Sequence, residues 1–202
     1  MRSQLVLPFS DDELYDSRWE YLLIASPGRK VTTKIREVKE DFYATHRQKI
    51  AIDTWPHITI AFFRAKQKLE GLLIEMMQKV CSRQQKFIAD LKDFDGFDHS
   101  TIYIKVQDWQ PFLQLAADLS PIDDFLINNG CRSAHLVDTP HLSIARRLPY
   151  SVYIKAKQEY SHRRFQDSFI VNELLLLKRR HEEHKCKRVT TLHFSSPNYF
   201  LN

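Results

Sequence analysis

The chain has 202 residues, 43% of them apolar and only four glycine, with a formal net charge of +5. That is long enough for one domain with a real core and too apolar for a disordered chain. No apolar run approaches the roughly 20 residues that cross a bilayer, so a helical membrane span is excluded.

The opening residues MRSQLVLPFSDDEL carry an apolar stretch too short for a signal peptide, with acids directly after it. A cytoplasmic protein is expected, with residues 1–18 as an irregular lead-in to a single domain spanning 1–202. Glu20–Ser26 is a short apolar run stopped by Pro27-Gly28 and predicts a strand. Val31, Ile35, Val38 and Phe42 recur at helical spacing. His57–Arg64 is rich in β-branched and aromatic residues and predicts a strand. Leu69, Leu72, Leu73, Met76 and Val80 form a second helical stripe. Phe87–Leu91 predicts a strand, followed by an Asp95-Gly96 turn, and Thr101–Val106 alternates as a further strand. Trp109, Phe112, Leu115, Ala116 and Leu119 predict a third helix. Asn128–Thr139 reads as a polar loop, and His141–Arg147 as a strand. Pro149 suits the first turn of the helix after it. Phe169–Leu177 and Val189–Phe194 predict the last two strands, joined by the charged connector Lys178–Arg188. The order is βαβαββ followed by αβαββ, an α+β class with two similar halves.

Two segments repeat each other 84 residues apart: Pro56-His57-Ile58-Thr59-Ile60 and Pro140-His141-Leu142-Ser143-Ile144. Side chains alternate across a strand, so His57 and Thr59 share one face, as do His141 and Ser143. The aliphatic residues between them face the core. The bare H-x-[ST] pattern is weak. Ser and Thr are 23 of 202 residues, so nine histidines would meet it about once by chance, and it occurs at His57, His99, His141 and His193. Only the copies at 57 and 141 share the whole Pro-His-aliphatic-hydroxyl-Ile form.

Two imidazoles, each beside a hydroxyl, suit phosphodiester chemistry. One imidazole activates the nucleophile while the other protonates the leaving oxygen. The hydroxyls supply donors for the phosphoryl oxygens. No metal-ligand spacing accompanies either motif, and neither cofactor nor metal is expected. The three cysteines Cys81, Cys131 and Cys186 are far apart without a CxxC, which predicts reduced, structural thiols. His181, His184 and Cys186 lack a fourth zinc ligand, so the connector reads as a charged hairpin. Its basic residues could meet an RNA backbone.

PHITI and PHLSI resemble the two H-x-[ST]-x motifs of the 2H phosphoesterase superfamily, the LigT-like proteins, over roughly Glu20 to Phe194. That superfamily includes RNA 2′,3′-cyclic phosphodiesterases and proteins called 2′-5′ RNA ligases. The resemblance implies a bilobal α+β fold, with two pseudo-twofold-related α/β lobes whose antiparallel sheets surround a central cleft. It implies catalytic roles for His57, Thr59, His141 and Ser143, in metal-independent phosphodiesterase action on 2′,3′-cyclic phosphate ends of RNA or related nucleotides. Cleavage or ligation of 2′-5′ linkages, or binding of RNA ends without turnover, are its alternatives. Ser143 stands where threonine is common, and it keeps the hydroxyl. The working direction has His141 activating water and His57 protonating the leaving oxygen, with the reverse also open.

Strand parity carries the cleft face on through Ala61 and Phe63 and through Ala145 and Arg147, provided no bulge intervenes. Arg147 and Phe63 are therefore candidate substrate contacts, and Arg64 ranks lower. Tyr103 and Lys105 lie opposite the apolar face of TIYIKV and are further candidates. Trp55 and Tyr150 flank the motifs and could stack on a base. The expected partner is RNA or a nucleotide with a cyclic phosphate or a 2′-5′ linkage, met by a monomer.

Overall fold

The computed structural model describes residues 18–97, 99–181 and 184–195. The predicted lead-in lies outside these except for Arg18, which opens the first strand, and Glu182 and Glu183 of the charged connector also lie outside them. The strands are β1 (Arg18–Ala25), β2 (Ile58–Lys66), β3 (Phe87–Phe97), β4 (Thr101–Val106), β5 (His135–Leu136), β6 (His141–Ala145), β7 (Gln166–Val171), β8 (Glu173–Arg179) and β9 (Lys187–His193). The helices are α1 (Arg29–His46), α2 (Ile50–Asp53), α3 (Glu70–Cys81), α4 (Gln110–Asp118), α5 (Pro121–Asn128) and α6 (Tyr150–Ser161).

All pairings are antiparallel, and the strand order is β7-β3-β4-β6-β2-β1-β8-β9, with β5 paired to β2. The sheet divides into two four-stranded halves. Their joint is narrow, because β2 and β6 meet through the pair Ile58–Leu142. These are the two histidine strands, so the repeat in the sequence sits on the seam of the fold.

The helices are exchanged across that seam. Helix α1 follows β1 yet packs on β6 and β7, while α4 follows β4 yet packs on β2. Helices α3 and α6 stay with their own halves, against β9 and against β3 and β4. The exchange lets Ile35 and Phe42 of α1, Phe112 and Leu115 of α4, Ile58, Ile60, Leu142 and Ile144 join one continuous core. Burial of that apolar surface is the main force holding the halves together.

Several elements differ from the sequence reading. Strand β3 runs through Asp95-Gly96 instead of turning there. Gly96 is needed because a Cβ would lie 2.8 Å from the Thr101 carbonyl and 2.9 Å from the Tyr153 ring. The third helical stripe stops at Asp118, and Pro121 starts a separate helix, α5, that ends where the polar loop was expected to begin. The predicted strand Phe169–Leu177 is divided at Asn172 into β7 and β8. On α1 the buried face is Val31, Thr32, Ile35, Lys39 and Phe42, so a lysine occupies a core position beside half-buried Val38.

Candidate active site

The site is built on two matching β-bulges. Along β1–β2 the register passes from Leu23–Ala61 to Ile24–Thr59, leaving Ile60 as the extra residue. Along β4–β6 it passes from Ile102–Ala145 to Tyr103–Ser143, leaving Ile144 as the extra residue. The extra residue inverts the facing of everything after it. Ile60-Ala61 and Ile144-Ala145 are consecutive buried pairs, where an unbroken strand would alternate. In both strands the aliphatics stay in the core while the histidine and hydroxyl face the other way.

The seam then gathers the four motif residues. Ile58 sits opposite Leu142, and extending that register by one residue each way sets His57 across from Ser143 and Thr59 across from His141. All four side chains are partly exposed. His57 Nδ1 lies 2.6 Å from the Trp55 carbonyl oxygen, and His141 Nδ1 lies 2.7 Å from that of Thr139. A carbonyl only accepts, so both Nδ1 atoms carry the proton and donate it. Each ring then presents Nε2 as its working atom. Among the described residues neither the Thr59 nor the Ser143 hydroxyl makes a hydrogen bond, so each can donate to a ligand.

The electrostatics are unequal on the two sides. The His57 pKa is lowered from 6.5 to about 4, by burial first and then by the charges of Lys39 and Arg146 and by His141, against the Trp55 carbonyl that raises it. His57 is therefore a neutral imidazole at neutral pH. His141 sits in an aromatic wall, its ring 4.8 Å from Phe97 and 5.3 Å from Tyr103. Tyr103 pairs with Ser143 and Lys105 with His141 across β4–β6, which puts both candidates on the histidine face. Burial first, then Asp95 and Tyr153, raise the Tyr103 pKa, so its hydroxyl stays protonated.

The bulge at Ile60 overturns one candidate from strand parity, and the bulge at Ile144 changes the facing expected for another. Phe63 is 2% exposed and stacks on Tyr21 at 5.2 Å in the core. Its neighbour Phe62 is half-buried on the opposite face. Arg147 is exposed, with its backbone in the left-handed region at φ 56°. Arg146 is half-buried instead, and its charge reaches both His57 and Lys39. Arg64 likewise falls on the side of Phe62, where it and Arg179 hold the buried carboxylate of Glu20 at 2.6 and 2.7 Å. Burial alone would raise the Glu20 pKa, but the two guanidiniums hold it below the ordinary range. Trp55 is 56% exposed, with its indole N–H donating to Ser26 Oγ at 3.2 Å. Tyr150 is 64% exposed, its ring edge-on to His99. The sequence signal for Arg146 was the repeated Ile-Ala pair, which breaks strict alternation at the same place in both copies.

Cavities lined by Ala25, Gly28, Val171 and Arg188, and by Asp90, Gln107 and Asp167, lie away from the histidines. Among the described residues, no three metal-binding side chains come together, and no helix is long and apolar enough to cross a membrane.

Comparison with known proteins agrees with this fold. The sequence model of the 2′-5′ RNA ligase superfamily matches residues 27–183, and the chain belongs to that family, within the 2H phosphoesterases. Among solved structures it is similar to Escherichia coli LigT complexed with 3′-AMP, at 18% identity and a TM-score of 0.64, covering 89% of this chain and 99% of LigT. It is similar to a Thermus thermophilus protein, TT0787, at 15% identity and a TM-score of 0.68, covering 88% and 99%. A structure described as a phosphoesterase aligns at 18% identity and a TM-score of 0.63, covering 88% and 98%. At these identities the likeness is one of fold. The search of curated protein sequences returned no match.

Proposed function

We propose that the protein is a metal-independent phosphodiesterase acting on 2′,3′-cyclic phosphate ends of RNA or related nucleotides. The observation that carries this reading is the twinned histidine geometry. Two imidazoles on adjacent strands are held by the same backbone contact with Nε2 presented, each beside a hydroxyl that has no hydrogen-bond partner among the described residues.

In this reading the depressed pKa of His57 supports the reverse of the direction taken from the sequence. A neutral His57 accepts the proton of the attacking water at Nε2. Water oxygen bonds to phosphorus, the ring P–O bond breaks, and His141, entering the step protonated at both ring nitrogens, delivers its Nε2 proton to the departing ribose oxygen. The product is a phosphomonoester, and the exchanged protons return through solvent. Thr59 and Ser143 donate to the non-bridging oxygens as charge builds on them, and Arg146 neutralises it. Tyr103 and Phe97 offer an aromatic surface beside His141 for the nucleoside.

LigT has been crystallised with 3′-AMP, phosphate, ATP and NADP+, which supports a nucleotide or RNA partner for this related fold. Family membership also favours a second reaction on the same site. A 5′-hydroxyl in place of water would form a 2′-5′ linkage without ATP, and microscopic reversibility makes the same groups cleave one. The test is an RNA oligomer ending in a 2′,3′-cyclic phosphate, incubated in EDTA with and without a 5′-hydroxyl oligomer. Conversion to a terminal monophosphate, read by phosphorus NMR, is expected. An intact cyclic end that nonetheless binds would leave a non-catalytic end-binding protein.

A further inference from the structure

We propose that Lys39 is a positioning residue, an ammonium clamp beneath the seam that fixes both histidine strands at once. The side chain is 2% exposed, on the face of α1 that packs against β6. Its Nζ donates to the Ala51 carbonyl at 3.1 Å, to Thr54 Oγ1 at 2.9 Å and to the Ile144 carbonyl at 3.2 Å. Lysine has three donors, and all three are used on neutral oxygens.

The acceptors explain why a lysine stands in a core position. Ile144 is the bulge residue of the second motif strand, the residue that turns Arg146 toward the histidine face. Its carbonyl, at the bulge, accepts a hydrogen bond from Lys39 Nζ. Thr54 directly precedes Trp55, whose carbonyl fixes the His57 ring. Thr54 Oγ1 in turn donates to the Ile50 carbonyl at 3.1 Å, so the segment before the first motif is bound on both sides. One side chain therefore ties the approach to His57 to the bulge beyond His141, across a seam where β2 and β6 themselves share one residue pair.

The clamp also carries charge. Burial first, then Arg146, lower the Lys39 pKa to about 8, which leaves it mostly protonated at neutral pH. The charged and titratable groups acting on His57 are Lys39 from α1, Arg146 after β6 and His141 on β6, and all three disfavour a second proton on its ring. A buried cation without a carboxylate partner is costly. Here that cost is offset by three hydrogen bonds to neutral oxygens. This inference deepens the proposed phosphodiesterase reading, but its structural half can be tested without it.

The experiment uses the full chain with Lys39→Met, which keeps length and apolar bulk but removes donors and charge. Thermal melting controls for folding. NMR titration of the His57 ring, inorganic phosphate binding and hydrolysis of a 2′,3′-cyclic mononucleotide are the readouts. The expected result is a His57 titration moved upward by about one pH unit, a kcat lower by about 10- to 100-fold, and a KM changed far less than kcat. A folded variant with an unmoved His57 titration, or with kcat within about twofold of wild type, would overturn the clamp. Should Lys39→Met fail to fold, Thr54→Val removes one acceptor while leaving the charge. It is expected to lower kcat several-fold, and a wild-type kcat there would overturn the clamp equally. If the wild type hydrolyses no cyclic nucleotide, the phosphodiesterase reading fails. The His57 titration and phosphate affinity of Lys39→Met then still decide the role of Lys39.

Discussion

Which arginine serves the phosphate depends on a single extra residue at Ile144, and this can be tested sharply. Unbroken parity would place Arg147 beside His141 and Ser143. The bulge turns Arg146 toward that face instead, half-buried and close enough for its charge to depress the His57 pKa. Burial first, then the charges of Arg147 and Arg179, lower the Arg146 pKa, against Cys186, which raises it. A hydrogen bond between charged partners contributes about 1.5–3 kcal/mol, which corresponds to roughly 10- to 150-fold in kcat/KM. An exposed arginine contributes about 0–1 kcal/mol, or less than about fivefold. Arg146→Ala and Arg147→Ala should therefore be compared on a 2′,3′-cyclic mononucleotide at fixed salt, with melting temperatures as controls. Arg146→Ala should lose one to two orders of magnitude in kcat/KM and raise the His57 titration, while Arg147→Ala stays near wild type. Equal losses, or a larger loss at Arg147, would refute the bulge-based facing.

The matching bulge at Ile60 makes Phe63 a core residue. Phe63→Ala should cost about 3–5 kcal/mol of stability, measured by denaturant unfolding, while the folded fraction keeps its KM. A raised KM at unchanged stability would return Phe63 to the ligand face. The pH dependence follows from His57. Its folded pKa of about 4 lies below the ordinary 6.5, so between these values the unfolded chain binds more protons than the folded one. Stability from this group should fall as pH drops from 6.5 toward 4, and kcat/KM should rise with pH through about 4 and be level at neutrality on that limb. An acidic limb centred near 6.5 would contradict the neutral-base assignment of His57.

The sequence was most legible where chemistry and periodicity coincide. Proline, histidine, an aliphatic and a hydroxyl recur in the same order, and alternation alone sets which of them face together. The α+β class followed from helical stripes between β-branched runs. Bulges were illegible to strict alternation, because one extra residue leaves composition unchanged and inverts only facing, which misplaced Phe63 and hid the half-buried Arg146. Lys39 escaped notice because a charged residue on a helix defaults to the solvated face, and its three oxygen partners come from segments 12 to 105 residues away. Helix α5 was hidden by Ser120-Pro121, a pair that ends one helix and begins the next with hardly a break. The exchange of α1 and α4 between halves is a property of topology that no local pattern encodes.

The central claim is that His57 and His141 act as one acid–base pair. The most direct test incubates wild type, His57→Ala and His141→Ala with a 2′,3′-cyclic mononucleotide in EDTA and identifies the product. The account predicts metal-free hydrolysis by wild type, falling by about two to four orders of magnitude in each variant, with folding intact. Hydrolysis that survives loss of either histidine, or that EDTA abolishes and a divalent ion restores, would contradict it.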